Sequence, residues 1–147
     1  MLEKRSLSLK EAEILIEAAM DNKLVSVKTP VAVAVVDESG SLIMFSRMDG
    51  VNGIGTTLSQ NKAYTAALFG LETEGIEERL AKAKLSLLQF TNKRFTSVGG
   101  GYPIKDQNGQ VIGALGVSGM VNPSDDRKVA KIAASLMMGT GLDQGDV

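Results

Sequence analysis

The sequence contains no cysteine, no histidine and no tryptophan, and aromatic residues make up only 4% of its 147 positions. Each absence removes a class of chemistry. Without cysteine there is no disulfide, thiolate nucleophile, cysteine-ligated zinc or iron–sulfur cluster. Without histidine there is no Ser-His-Asp triad, imidazole-ligated metal or histidine-ligated haem, and no side chain that ordinarily titrates near neutrality. Few aromatics leave little from which to build a base-stacking platform. Sixteen Lys+Arg against 17 Asp+Glu leave no net field to gather nucleic acid. Long apolar runs are missing as well: the longest, Val31–Val36 and Leu42–Phe45, fall far short of a membrane span. The opening MLEKRSLSLKEAE is polar where a signal peptide needs an apolar stretch. The expectation is a single cytoplasmic domain over 1–147, with no nucleic-acid or membrane partner.

What is present reads as alternating helices and hairpins. Ser8 and Glu11 have the S-x-x-E spacing of a capping box, and Leu9, Ala12, Leu15, Ile16 and Ala19 share one face of a helix reaching about Leu24. After Pro30, two strands joined at Asp37-Glu-Ser-Gly40 form a hairpin, with Val31, Val33 and Val35 on one face and Ala32, Ala34 and Val36 on the other. Both faces of these strands are apolar and need cover, which a chain with few helices lacks the material to give, so a homo-oligomer is expected. GVNGIG reads as a loop, Thr56–Phe69 as a helix capped by Gly70, and a further helical segment begins near Thr73. Short strands are predicted at Phe95–Val98 and Tyr102–Lys105, followed by a clear one, VIGALGVSG, after the Asp106–Gly109 turn. Asn122 and Pro123 open a last helix, and 139–147 reads as a frayed tail. The order α-β-β-α-α-β-β-β-α describes an α+β domain with an antiparallel sheet of about five strands flanked by helices.

Few residues stand out as carriers of chemistry. Gly99-Gly100-Gly101 before Tyr102-Pro103 is either a tight bend between strands or a set of bare N–H groups facing an anionic ligand. Asp37, Arg47 and Asp49 sit at the ends of the hairpin, as turn formers and a surface ion pair or as an acid/base or metal pair. Lys62, Tyr64 and Thr65 lie within one helical turn, and Lys62 suits either a polar helix edge or a bound carboxylate or phosphate. Asp125-Asp126-Arg127 opens the last helix, where acids complement the helix dipole. Met44, Met48 and Met120 fall near strand ends, as gap fillers or thioether ligands to haem iron, and Tyr102 is a candidate oxygen ligand to ferric iron. No metal site is expected.

PVAVAVVDESGSLIMFSRMDG, NKAYTAALF, GGGYPIKDQNGQVIGALGVSG and DDRKVAKIA, in that order over about Leu7–Leu136, resemble the haem-degrading HbpS/GlcG-like family. The same domain forms the C-terminal part of PduO-type corrinoid adenosyltransferases. The resemblance implies a profilin- or PAS-like domain that forms homo-oligomers, with members linked to haem or other tetrapyrroles and to glycolate or diol/glycerol utilisation. The family's patches correspond here to Asp37, Arg47, Asp49, Lys62, Thr65, Gly99–Pro103 (with Gly100, Gly101 and Tyr102), Ser118 and Gly119. Haem or corrinoid is the cofactor class implied, although this chain has no histidine to ligate it. The leading reading is an oligomeric protein binding a small molecule near Gly99–Tyr102. Two other readings stand beside it: an enzyme acting on a small hydroxy acid, diol or aldehyde through Asp, Lys or Tyr, and an accessory or structural subunit.

Overall fold

A computed structural model describes residues 5–137; the tail predicted for 139–147 lies outside them. Helix α1 (Leu9–Met20) starts at the predicted capping box: the Glu11 N–H donates to Ser8 Oγ (3.1 Å) and the Ser8 N–H to Glu11 Oε1 (3.0 Å). It ends four residues sooner than its periodicity suggests, because the Asn22 side chain draws the Leu24 N–H into a turn (2.9 Å). Strands β1 (Ala32–Asp37) and β2 (Leu42–Arg47) form the hairpin. Helix α2 (Gly53–Phe69) then begins within the predicted loop, since Asn52 Oδ1 accepts the Gly55 N–H (3.0 Å) and caps a first turn that contains two glycines. A short α3 (Ile76–Ala81) and a 3-10 turn at Leu87–Phe90 lead to β3 (Gly101–Lys105), β4 (Val111–Ser118) and α4 (Pro123–Ser135).

The sheet is antiparallel throughout, with order β2-β1-β4-β3. It has four strands rather than about five. The segment predicted as a strand at Phe95–Val98 is irregular, because two threonine hydroxyls take up its backbone groups. The Thr96 N–H donates to Thr65 Oγ1 (3.1 Å), and Thr73 Oγ1 donates to the Val98 carbonyl (2.7 Å). These groups are then unavailable to a ladder.

The chain covers both faces of β1 itself, whereas β2, at the sheet edge, stays half-exposed, so the expectation that the hairpin lacks cover fails for one strand and holds for the other. Val31, Val33 and Val35 join Leu115, Val117, the apolar face of α1 and Val129–Ala134 of α4 in one core. Ala34, Val36 and Ala114 pack against Ala63, Ala66 and Ala67 of α2 in a second, thinner one. The alternation of valine and alanine along β1 thus sorts two core layers of different depth. Alanine faces allow α2 a close approach, and glycine allows a closer one. Gly116 and Gly101 are register partners under α2, where a Cβ on Gly116 would sit 2.6 Å from the Ala63 nitrogen and one on Gly101 2.7 Å from Thr73 Cγ2. No helix among the described residues is long and apolar enough to cross a membrane.

Candidate functional site

The triple glycine and Lys62 come together at the end of the sheet where β3 begins and β4 ends. Lys62 is completely buried on α2, and its ammonium donates to the Val117 carbonyl (2.8 Å) and to Asp126 Oδ2 (3.2 Å) in the first turn of α4. The other carboxylate oxygen of Asp126 accepts the Met120 N–H (3.2 Å). Gly100, at φ +128°, makes this possible: a Cβ there would sit 2.8 Å from Lys62 Nζ and 3.0 Å from Asp126 Cβ. The glycine run therefore opens a passage through which a lysine from one outer layer meets an aspartate from the other. Burial pushes the Lys62 ammonium's pKa down and the Asp126 carboxyl's up, each opposed by attraction to the other and, on Asp126, by the Met120 N–H.

The other predicted residues fall into separate places. Asp37 builds the hairpin turn, its Oδ1 accepting from Ser39 N–H (2.9 Å), Ser39 Oγ (2.7 Å) and Ser41 N–H (3.0 Å). Its partial burial raises the carboxyl's pKa, but these hydrogen bonds outweigh that and hold it below the usual value. Arg47 and Asp49 are exposed at the far end of β2, a strand's length from Asp37, so the three form no single cluster. Thr65 is buried, donating to the Asn61 carbonyl (2.8 Å) and tying the 92–98 segment to α2. Ser118 is buried beside β1, and Gly119 (φ +127°) lies so near the Pro30 carbonyl that a Cβ would meet its oxygen at 2.5 Å. Gly99 backs onto Glu74, and Pro103 is buried within β3. Tyr102 is half-buried on edge strand β3 beside the core. Near this edge Arg127 donates to both carboxylate oxygens of Glu72 (2.6 and 3.2 Å) and lies 3.6 Å from Glu74. The hydrogen bonds and charge of Glu72 raise the arginine's pKa.

Two open clefts lie elsewhere, and neither is lined by Gly99–Pro103. The larger, about 800 Å³, runs between the β1–β2 turn and the polar face of α2, with Lys93 and Arg94 on its far wall. Tyr64 is central to it. The Arg94 guanidinium carbon stands 3.9 Å above the tyrosine ring centre, Arg94 Nε donates to Asn61 Oδ1 (3.1 Å), and Asn92 Nδ2 donates to the Tyr64 hydroxyl (2.9 Å). The second, about 580 Å³, is lined by Leu87, Leu88 and Phe95, with Lys93, Asn92 and Glu77, whose carboxylate accepts the Leu87 N–H (3.2 Å), among its polar lining. Lys93 lines both. Sequence reasoning passed over Asn61, Thr73, Asn92, Lys93 and Arg94. The available signal was the dibasic Lys93-Arg94 between polar Thr91-Asn92 and apolar Phe95 in a segment without helical or strand period. Among the described residues no group of three or more Asp or Glu side chains is arranged to hold a metal ion.

Comparison with known proteins places this architecture. An uncharacterized 15.0 kDa protein in the dhaT-dhaS intergenic region of Citrobacter freundii is 38% identical over 117 residues, covering 78% of this chain and 81% of that one. The crystal structure of Klebsiella pneumoniae protein ORFY superposes with a TM-score of 0.78 at 31% identity, covering 91% of this chain and 92% of the other. The crystal structure of a PduOC:heme complex superposes with a TM-score of 0.74 at 26% identity, over 88% of this chain and 93% of the other. A family model described as haem degrading protein HbpS-like matches residues 7–135, and with nearly the whole described fold inside that match the chain belongs to the HbpS-like family.

Proposed function

We propose that the protein binds a small amphipathic molecule of the tetrapyrrole class, and that it works as a homo-oligomer. The observation that carries this reading is Lys93, which lines an apolar cleft walled by Leu87, Leu88 and Phe95 and also the rim of a polar one. A tetrapyrrole is a flat apolar ring edged with carboxylates, and a largely apolar cleft lined by a cation is complementary to that chemistry. Similarity to the PduOC:heme complex supports the ligand class.

The cleft fits the ring and its carboxylates better than its iron: Tyr102, Met44, Met48 and Met120 are not among its lining residues, and its one amine, Lys93, serves the carboxylates. The chain has neither imidazole nor thiolate. Lys62 is buried in its pair with Asp126. The Tyr64 hydroxyl accepts from Asn92, while Arg94 covers the ring. Met48 Sδ accepts the Val31 N–H (3.5 Å), and Met44 and Met120 pack against the core. Retention then rests on apolar burial and charge rather than on metal coordination.

Absorbance and fluorescence titrations with haemin and with iron-free protoporphyrin test this. Both are expected to bind saturably at micromolar concentration, with affinities within about tenfold of each other. Leu88→Asp is expected to weaken both, and because Leu88 is 87% exposed the fold tolerates it. Failure of both ligands to saturate overturns the ligand class; binding of haemin alone overturns the metal-independent part.

Oligomer formation is supported by apolar side chains left outside at one end of the sheet. Val27, Ile54 and Val121 are 92%, 75% and 103% exposed. They lie in the α1–β1 linker, the first turn of α2 and the β4–α4 loop, which meet around Pro30, Gly55 and Gly119.

A further inference from the structure

The polar cleft carries a second assignment that does not depend on the tetrapyrrole reading. Its wall holds two cations, Lys93 and Arg94, no acidic side chain lines it, and neither cation has a carboxylate within salt-bridge distance among the described residues. Both are exposed, but Arg94 is not loose. Its guanidinium is stacked on Tyr64, its Nε is tied to Asn61, and its backbone N–H donates to Asn92 Oδ1 (3.0 Å), while the same Asn92 fixes the tyrosine hydroxyl. The two Nη groups make no hydrogen bond among the described residues, which leaves the bidentate end of the guanidinium free. The same cleft is lined by the hydroxyls of Ser41 and Thr57 and by Gln60, whose Nε2 donates to the Thr56 carbonyl (3.2 Å) and whose amide oxygen makes no hydrogen bond among the described residues. An oriented, unpaired guanidinium recognises a planar oxyanion, and neutral donors and acceptors in the same cleft recognise hydroxyl groups.

We propose that this cleft is a binding site for a small hydroxylated carboxylate, held by Arg94 and Lys93 at its acid end and by the α2 and hairpin side chains at its hydroxyls. Lys93 is shared with the apolar cleft; Arg94, Tyr64 and Asn61 are not.

Calorimetric titration at constant ionic strength tests the assignment with four probes: tartrate, succinate, inorganic phosphate and glycerol. Tartrate is expected to bind saturably, more tightly than succinate, which has the charges without the hydroxyls; glycerol, which has the hydroxyls without the charge, is expected not to bind. Arg94→Gln is expected to lose about tenfold in tartrate affinity or more. Leu88→Asn, which makes the apolar cleft polar without adding charge beside Lys93, is expected to leave tartrate binding unchanged. Absence of saturable tartrate binding overturns the proposal, as does unchanged affinity in Arg94→Gln with the fold verified by circular dichroism. Tighter binding of phosphate than of tartrate overturns the carboxylate assignment, and succinate equal to tartrate overturns the hydroxyl recognition. Loss of porphyrin binding in Leu88→Asn with tartrate binding intact separates this site from the tetrapyrrole one.

Discussion

Lys62 shows how far a residue's role depends on what its backbone neighbours permit. A lysine on a helix ordinarily faces water, but here both members of its ion pair are buried, and removing one member strands the other charge. Lys62→Met is therefore expected to cost about 3–5 kcal/mol in urea unfolding, and Lys62→Met combined with Asp126→Asn to recover most of that loss. Equal loss in the single and double variants would show that lysine packing, not charge, is what matters. Asp37 makes the opposite case, a carboxylate that stabilises because it is ionised. Its folded pKa lies below 3.8, so the unfolded state binds more protons between the two values and stability rises with pH there. The contribution is fully present above about pH 4 and is lost as pH falls through the folded value. Asp37→Asn keeps an acceptor for the turn but cannot titrate, and is expected to flatten the acid limb of a stability–pH profile while lowering neutral stability by about 1 kcal/mol. The sequence marked Asp37 as a turn former but left Lys62 between a polar helix edge and a cation for a bound anion, and its complete burial corrects the polar-edge reading. The sequence could not show that the partner is Asp126, because the two are 64 positions apart and nothing local couples them.

At the scale of elements, glycine spacing sets how closely α2 sits on the sheet. Gly116→Ala would drive a methyl into the Ser59 carbonyl and the Ala63 nitrogen, main-chain atoms that no side-chain rotation can move. A loss of about 3 kcal/mol, near the top of the overpacking range, is expected in thermal or denaturant unfolding. Gly53→Ala is the matched comparison: a Cβ at the start of the same helix meets nothing within 4 Å, and the change is expected to be neutral or to stabilise by up to about 1 kcal/mol. Similar losses in the two variants would refute close packing as the reason for Gly116. Most elements were legible because each combines a periodic pattern with a punctuating residue, as at Ser8–Glu11, Gly70 and Asn122-Pro123. Three were misread for one reason: side chains satisfied backbone groups in place of the expected partners, beginning with Asn22, which ended α1 early. Asn52 turned glycines assigned to a loop into a helical first turn, and Thr65 and Thr73 occupied groups that a fifth strand would have needed. The clefts were less legible still, since Lys93 and Arg94 acquire meaning only once Tyr64 and Asn61 lie beside them.

For the whole molecule, three layers bury β1 and β4 without help, so the main reason to expect an assembly moves from the faces of those strands to the exposed apolar end at Val27, Ile54 and Val121. Sedimentation velocity at micromolar concentration is expected to show a species larger than the 15.5 kDa chain, and Ile54→Asp with Val121→Asp to shift it toward the monomer. A wild-type monomer at that concentration would remove the oligomer from the proposed function. The lysine that passes the glycine gap also bears on the order of folding. It joins the two outer layers through a contact that closes 64 residues of chain, and it is sealed only when α2, the end of the sheet and α4 are all in place. A contact of that separation is expected to form after the rate-limiting step, and so to act as a latch on escape rather than as a nucleus for assembly. Lys62→Met should accelerate unfolding far more than it slows refolding, giving the native state a lifetime set by one buried charge pair.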